Sequence, residues 1–293
     1  VISLCLAWVG APLIVGYHSI GGPPEFAGGP TYDKHGLNIS PETFRAQLEA
    51  LYNARRYPVN ISDLASERTR LPKGWKPVAL TFDDGRASQY RILPDGTLDP
   101  SCALGVMIAF HKRHPDWPLR GTFYLIAGSD ENGVPFDQEG LEKRKVRTLL
   151  QLGFEIGNHT LSHPSFRGLG AGVIRREIGG CQRYLRRLIP GIRIASLALP
   201  YGELPRDRRL WPLLFRGRWH GIRYRYSCVM LFGDPVPGGR FPFFARVAPN
   251  ELPADLSAHS SPPTDGVASY RPNVRVRHRD SLKLFEDFDR VSL

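Results

Sequence analysis

Three observations predict an α/β fold built on a parallel sheet, open or closed. Short apolar runs alternate with segments of helical spacing, the polar clusters directly follow those runs, and turn residues crowd the connections. With 26 prolines and 30 glycines in 293 residues, the chain has long loops, which suit a barrel better than a helical bundle. No internal repeat stands out. The length fits one large domain, and a hydrophobic fraction of 42% with 23% charged residues is ordinary for a folded protein with a sizeable core.

Taken in order, residues 12–20 (PLIVGYHSI) read as a buried strand ending in polar residues. A glycine- and proline-rich loop follows, and Ser40 is placed to cap a helix with Pro41 at its first position. Phe44, Leu48 and Leu51 fall on one face of that helix. Residues 57–61 read as a short strand and 77–82 (PVALTF) as a strong one, ending at Asp83-Asp84-Gly85. A buried helix is predicted over 102–110, a strand over 121–126 and a basic amphipathic helix over 141–152, stopped by Gly153. The strand 154–157 runs into Asn158-His159. A helix carrying Ile174, Ile178, Cys181, Leu185 and Leu188 ends at Pro190. A strand over 194–199 precedes Pro200-Tyr201-Gly202, and 222–231 reads as one further strand. Beyond about Asn250 the pattern degrades, which divides the chain into an apolar segment 1–11, a main domain 12–250 and a Pro/Arg-rich extension 251–293.

The net charge of +11 favours acidic partners such as anionic polymers or a membrane surface. No zinc-finger spacing, helix-turn-helix signal or aromatic RNA-binding motif accompanies it, so nucleic acid is not expected as a partner. Cys5, Cys102, Cys181 and Cys228 form no CxxC pair; Cys102 and Cys181 read as reduced core residues. The apolar start VISLCLAWV is too short to span a bilayer. It reads as the remnant of an export signal, giving the expectation of a secreted or cell-envelope protein with peripheral envelope association, or else as a buried first segment.

Two clusters carry chemistry. Adjacent carboxylates at a strand end, Asp83 and Asp84, point different ways because strand side chains alternate, so one is free to bind a metal while the other faces substrate. His159 and His163, at i and i+4, meet on one face of a helical turn, a spacing that suits Zn²⁺. Alone, each cluster also reads as a turn or a pair of surface histidines. Together, two histidines and one aspartate leave open coordination positions for water and substrate.

Thr81-Phe82-Asp83-Asp84-Gly85, His159-Thr160-Leu161-Ser162-His163 and Ala198-Leu199-Pro200-Tyr201-Gly202, in that order and each at a strand end, resemble the three motifs of the polysaccharide deacetylase family (carbohydrate esterase family 4), the group with the NodB homology domain. The resemblance covers about residues 12–235 and implies a single-domain, distorted, incomplete parallel (β/α) barrel of the seven-stranded type. It also implies a hydrolase removing acetyl groups from an N- or O-acetylated polysaccharide with a divalent metal, zinc before Co²⁺, Ni²⁺ or Mn²⁺. Asp83 would be the general base, Asp84, His159 and His163 the metal ligands, and Tyr201 the donor of a backbone N–H to an oxyanion. For the histidine general acid, His18 at the end of its strand is favoured over His259, because it resembles the Tyr-His segment of circularly permuted members. Ala198 stands where many members carry an arginine that pairs with the base, so either another group supplies that cation or the base is weaker. The competing readings are a carbohydrate-binding protein that has lost turnover, and a hydrolase of other C–N bonds. Trp117, Trp211 and Trp219 read as core or loop anchors, and His111 and His114 as partners at a helix end.

Overall fold

A computed structural model of the chain describes residues 12–21, 36–66, 71–128, 134–233 and 242–252. The first half runs through β1 (Leu13–Tyr17), the short β2 (Ser19–Ile20) and β3 (Asn38–Ile39), α1 (Pro41–Asn53), β4 (Arg56–Val59), α2 (Ile61–Ala65), β5 (Lys76–Phe82), α3 (Ala103–Arg113) and β6 (Thr122–Leu125). The second half runs through α4 (Glu142–Leu152), β7 (Glu155–Asn158), α5 (Ala171–Leu188), β8 (Ser196–Ala198), α6 (Pro212–Phe215), β9 (Arg216–Trp219), β10 (Ile222–Arg225), β11 (Cys228–Phe232) and β12 (Phe243–Arg246).

The main sheet follows the order β1-β5-β6-β7-β8-β11-β12, with β4 added against the first half of β5. Every pairing in it is parallel. A bridge between Val15 and Val247 draws the two ends of this path together. Gly16 N–H donates to the Val247 carbonyl at 2.9 Å, and Val247 N–H to the Ile14 carbonyl at 3.0 Å. The result is a seven-strand path nearly closed into a distorted barrel, the fold the motifs implied.

Strand alternation sorts the core into two layers. Leu13, Val15, Val78, Leu80, Phe123, Leu125, Leu197 and Leu199 pack with helix residues such as Phe44, Leu48, Leu104 and Ile178. The intervening Ile14, Ala79, Tyr124, Ala198 and Met230 pack with one another inside the barrel. Tyr124 needs space there: a Cβ at Gly157 would collide with its ring. The helices form as their sequences dictate. Ser40 Oγ caps α1 at the Thr43 N–H, and Gly153, at φ 100°, ends α4 in the left-handed region that glycine adopts freely.

The structure corrects the sequence reading at several points. Residues 222–231 are not one strand: β10 turns back on β9 as an antiparallel hairpin, and only β11 joins the barrel. The strand β12 had no counterpart in the reading, because its four residues, FFAR, show no alternation and lie between Pro242 and Pro249. The run 12–20 breaks at His18, and the predicted strand 57–61 ends at Val59, with Ile61 opening a helix. Trp117 and Trp211 are buried anchors whose indoles donate to the carbonyls of Arg56 and Pro205. Cys102, Cys181 and Cys228 are buried free thiols. No helix among the described residues is long and apolar enough to cross a membrane. The segment 1–11, Cys5, His259 and residues 253–293 lie outside the described residues.

Candidate active site

The C-terminal ends of β1, β5, β7, β8 and β12 converge on one cluster. After Phe82 the ladder continues one step, with Asp83 N–H donating to the Tyr17 carbonyl, and the chain then turns sharply: Asp84 has φ 75° and Gly85 φ 70°. The two carboxylates therefore diverge because Asp84 sits in a left-handed turn beyond the strand, and not by strand pleating. Asp83 stays on the barrel-interior side in register with Thr81, while Asp84 swings toward the histidine loop.

His159 and His163 do not share a helical turn. The segment is a loop in which Thr160 (φ 73°) and His163 (φ 57°) both take left-handed backbone. Asn158 Oδ1 accepts from Thr160 N–H, Thr160 Oγ1 from His163 N–H, and Glu177 from Ser162 N–H and Oγ. These bonds fold the loop so that the imidazoles meet edge to face, 4.8 Å between centroids. Asp84 Oδ1 lies 3.2 Å from His159 Nε2 and 3.4 Å from His163 Nε2. Ligand atoms from these three residues all fall within 4.8 Å of one another. His159 Nδ1 sits 2.9 Å from the Ala198 carbonyl, the contact that fixes the other nitrogen as the one facing Asp84. Two imidazole nitrogens and one carboxylate oxygen, convergent, with Asp84 and His159 buried and His163 partly open to solvent, fit a divalent cation of the zinc type.

Asp83 is held on the other side by a residue that sequence reasoning missed. Arg246, at the end of β12 and 1% exposed, donates to both carboxylate oxygens at 2.6 and 2.7 Å. It also donates to Thr81 Oγ1 and the Leu231 carbonyl and lies over the Phe232 ring, 4.3 Å from its centroid. This is the cation whose place Ala198 vacates. It enters the same interior space from a different strand, where Ala198 is packed beside Tyr124. The only signal for it in the sequence was the missing arginine itself.

His18 Nε2 approaches Asp83 Oδ2 at 3.9 Å, and His159 Nε2 reaches the same oxygen at 3.8 Å. Gln89 ties the two strand ends together by donating to the carbonyls of His18 and Asp83. Tyr201, 67% exposed, rests edge-on against His163 with 4.9 Å between centroids. Its φ of 58° puts the Pro200–Gly202 turn in strained backbone, and Gly202 (φ 65°) is required because a Cβ would come 2.5 Å from Phe232 N. All six residues expected from the sequence thus lie in one cluster.

The charges follow from this geometry. Burial pushes Asp83 up, but Arg246, His159 and His18 together outweigh it and hold the carboxyl below its usual range. Asp84 is buried too, yet its hydrogen bond to His159 and the surrounding imidazoles keep it well below that range. Burial lowers His18, against the pull of both aspartates, and lowers His163 to about 4. Burial also opposes charge on His159, but Asp83 and Asp84 prevail and raise it.

Residues 70–211 match the family model described as polysaccharide deacetylase. A peptidoglycan-N-acetylglucosamine deacetylase of Bacillus cereus is 26% identical over 171 residues, 58% of this chain and 53% of that protein. A chitooligosaccharide deacetylase of Sinorhizobium fredii is 26% identical over 129 residues, 44% of this chain and 48% of that one. The chain therefore spans about half the length of the curated relatives it matches. In fold it resembles a deacetylase of Streptococcus pyogenes solved in complex with acetate, with a TM-score of 0.61 at 19% identity over 86% of this chain and 98% of that chain. The matched segment contains Asp83, Asp84, His159, His163 and Tyr201, whereas His18 and Arg246 come from either side of it. Over residues 70–211, just under half of its length, the chain is similar to the polysaccharide deacetylase family.

Proposed function

We propose that the protein is a metal-dependent hydrolase that removes acetyl groups from an N-acetylated or O-acetylated polysaccharide. The convergence of Asp84, His159 and His163 beside an arginine-anchored Asp83 carries this reading. Asp84, His159 and His163 would hold the divalent ion, with zinc favoured by the two imidazoles. When bound, the ion supplies Lewis acidity toward the acetyl carbonyl and toward water.

The chain's own groups supply the rest. Asp83, kept ionised by Arg246, takes a proton from water at Oδ2, the oxygen that faces His18 and His159. The Tyr201 backbone N–H stabilises the tetrahedral oxyanion. His18, neutral in its buried position, faces Asp83 Oδ2 at 3.9 Å; it takes up the proton that Asp83 has accepted from water and passes it to the leaving amine or alkoxide. Tyr201, exposed over His163, offers an aromatic face at the mouth of the site for the sugar. That His18 and Arg246 flank the matched segment supports placing the chain in a permuted subgroup. The reading as a carbohydrate-binding protein without turnover loses one of its two motivations, since Arg246 supplies the cation that Ala198 lacks; the other, the identity of the general acid, is answered in this proposal by His18.

The test is metal content and acetate release measured together. Wild-type protein is expected to hold about one equivalent of divalent metal, lost in His159→Ala and His163→Ala. Asp83→Asn is expected to retain metal while acetate release from N-acetylglucosamine oligomers, peptidoglycan or acetylated xylan falls at least about a hundredfold. Full release by Asp83→Asn would remove Asp83 as the base, and a wild type that binds no metal after dialysis against zinc would remove the mechanism.

A further inference from the structure

At the opposite end of the barrel from the active site lies a groove of about 1270 Å³ between α5, the segment entering β8 and the β9–β10 hairpin. Its position is fixed by Ile194 and Ala195, which precede β8, and by Ser227, which precedes β11; all three line it. The active-site residues follow the other ends of these parallel strands.

The groove is lined by arginines. In the hairpin register, Arg223 stands directly opposite Arg218, and Arg225 opposite Arg216. Like charges facing each other across an antiparallel pair are destabilising. The other face of the hairpin explains how it persists. Tyr224 is buried and occupies the space that Gly217 leaves open, and Trp219 packs on Gly179 of α5, where a Cβ would come 2.5 Å from the Trp219 Cβ. Arg175 and Arg186 of α5 and Arg193 of the following loop add to the same groove. None of the seven forms a salt bridge among the described residues, and no carboxylate lines the groove. Seven arginines, six of them exposed, line this open groove with no carboxylate among its lining residues; such a surface suits an anion with several charges, and the fork geometry of arginine suits phosphate oxygens.

We propose that this groove is a binding site for a flexible, base-free phosphate chain, of the polyphosphate or phosphodiester-linked polyol class. The two tyrosines that line the groove, Tyr224 and Tyr226, are buried and stacked on each other at 5.7 Å, their hydroxyls engaged with the Leu213 carbonyl and with Gln182 and Asn158, so neither presents a free face to a base. It offers nothing to insert into a bilayer either. The exposed large hydrophobic side chain among the described residues is Tyr201, at the other end of the barrel.

The site does not depend on the hydrolytic reading and is tested separately, on the full chain, by binding of labelled short-chain inorganic polyphosphate and poly(glycerol phosphate) across a salt series. Wild type is expected to bind both. The variant Arg216→Gln/Arg218→Gln/Arg223→Gln/Arg225→Gln is expected to weaken binding at least about tenfold and to reduce the salt slope by about 3. A control of equal charge change outside the groove, Lys73→Gln/Lys112→Gln/Lys143→Gln/Arg147→Gln, is expected to weaken it by no more than about twofold. Should the hairpin variant melt early, Arg175→Gln/Arg186→Gln/Arg193→Gln gives the same readout from the helix side. Equal losses in groove and control variants would reduce the site to diffuse charge and overturn the proposal. Tighter binding of a charge-matched DNA duplex, or of vesicles rich in anionic lipid, would overturn it in favour of those partners. Metal content and acetate release are expected to stay at wild-type levels in every groove variant, so failure here is distinguishable from failure of the deacetylase reading.

Discussion

Asp83 is the residue on which the site turns, and its state is set by Arg246. Two charges at 1% exposure each are tolerable only as a pair, because removing one partner of a buried ion pair typically costs about 3–5 kcal/mol. Arg246→Met is therefore expected to lower stability by about that amount and to abolish acetate release. Adding Asp83→Asn removes the orphaned charge, so the double variant is expected to regain much of the stability and none of the activity, as read by denaturant unfolding beside acetate assays. A double variant no more stable than Arg246→Met would mean that the two side chains are not coupled. The aspartates and histidines were legible in the sequence because each follows an apolar run that forms a barrel strand. Arg246 was not: it lies 163 positions from its partner, on a strand of four residues, FFAR, that shows no clean alternation. The missing arginine at Ala198 pointed to a substitute without locating it. A pair brought together by barrel closure has no local signature.

At the level of elements, periodicity located α4 but not what it does. A basic amphipathic helix should turn its lysines to water, yet Lys145 is fully buried. Its ammonium donates to Gln138 Oε1 at 2.6 Å and the Phe136 carbonyl at 3.2 Å, and it lies over the rings of Tyr90 and Phe136. Through these contacts α4 holds the turn Pro135–Asp137, whose Phe136 N–H donates to the Gly85 carbonyl and whose Asp137 carboxylate accepts from Ala87 N–H. Lys145 thus braces the back of the Asp84 turn. Burial pushes its pKa down to about 7. Between that value and the ordinary lysine range the unfolded chain binds a proton that the folded chain does not, so stability rises with pH across that window. The slope from this group approaches about 1.4 kcal/mol per pH unit. Lys145→Met is expected to flatten the pH dependence of unfolding between about pH 7 and 10. An unchanged slope would place the charge in water after all. The hairpin β9–β10 was equally hidden, because Ile222, Tyr224 and Tyr226 continue the alternation of β11 and only the sheet register separates them.

The whole barrel closes at one narrow seam, the exchange of hydrogen bonds between Val247 and the pair Ile14 and Gly16. Arg246 is the residue next to that seam, so closing the sheet and charging Asp83 are one structural event. This linkage makes the active site a readout of the fold's longest-range contact, between the first and last strands described. Val247→Pro deletes the N–H that donates to Ile14 while leaving the carbonyl that accepts from Gly16. The lost bond and the ring together are expected to cost about 1–3 kcal/mol. If the seam positions Arg246, two quantities should move together: amide exchange at Gly16 should accelerate, because its partner strand now frays, and acetate release should fall at least about tenfold. Val247→Thr, which keeps the N–H and a β-branched side chain, is expected to leave both near wild type. Faster exchange at Gly16 with undiminished acetate release would show that Arg246 reaches Asp83 without help from the seam, and that its own contacts with Thr81, Leu231 and Phe232 suffice.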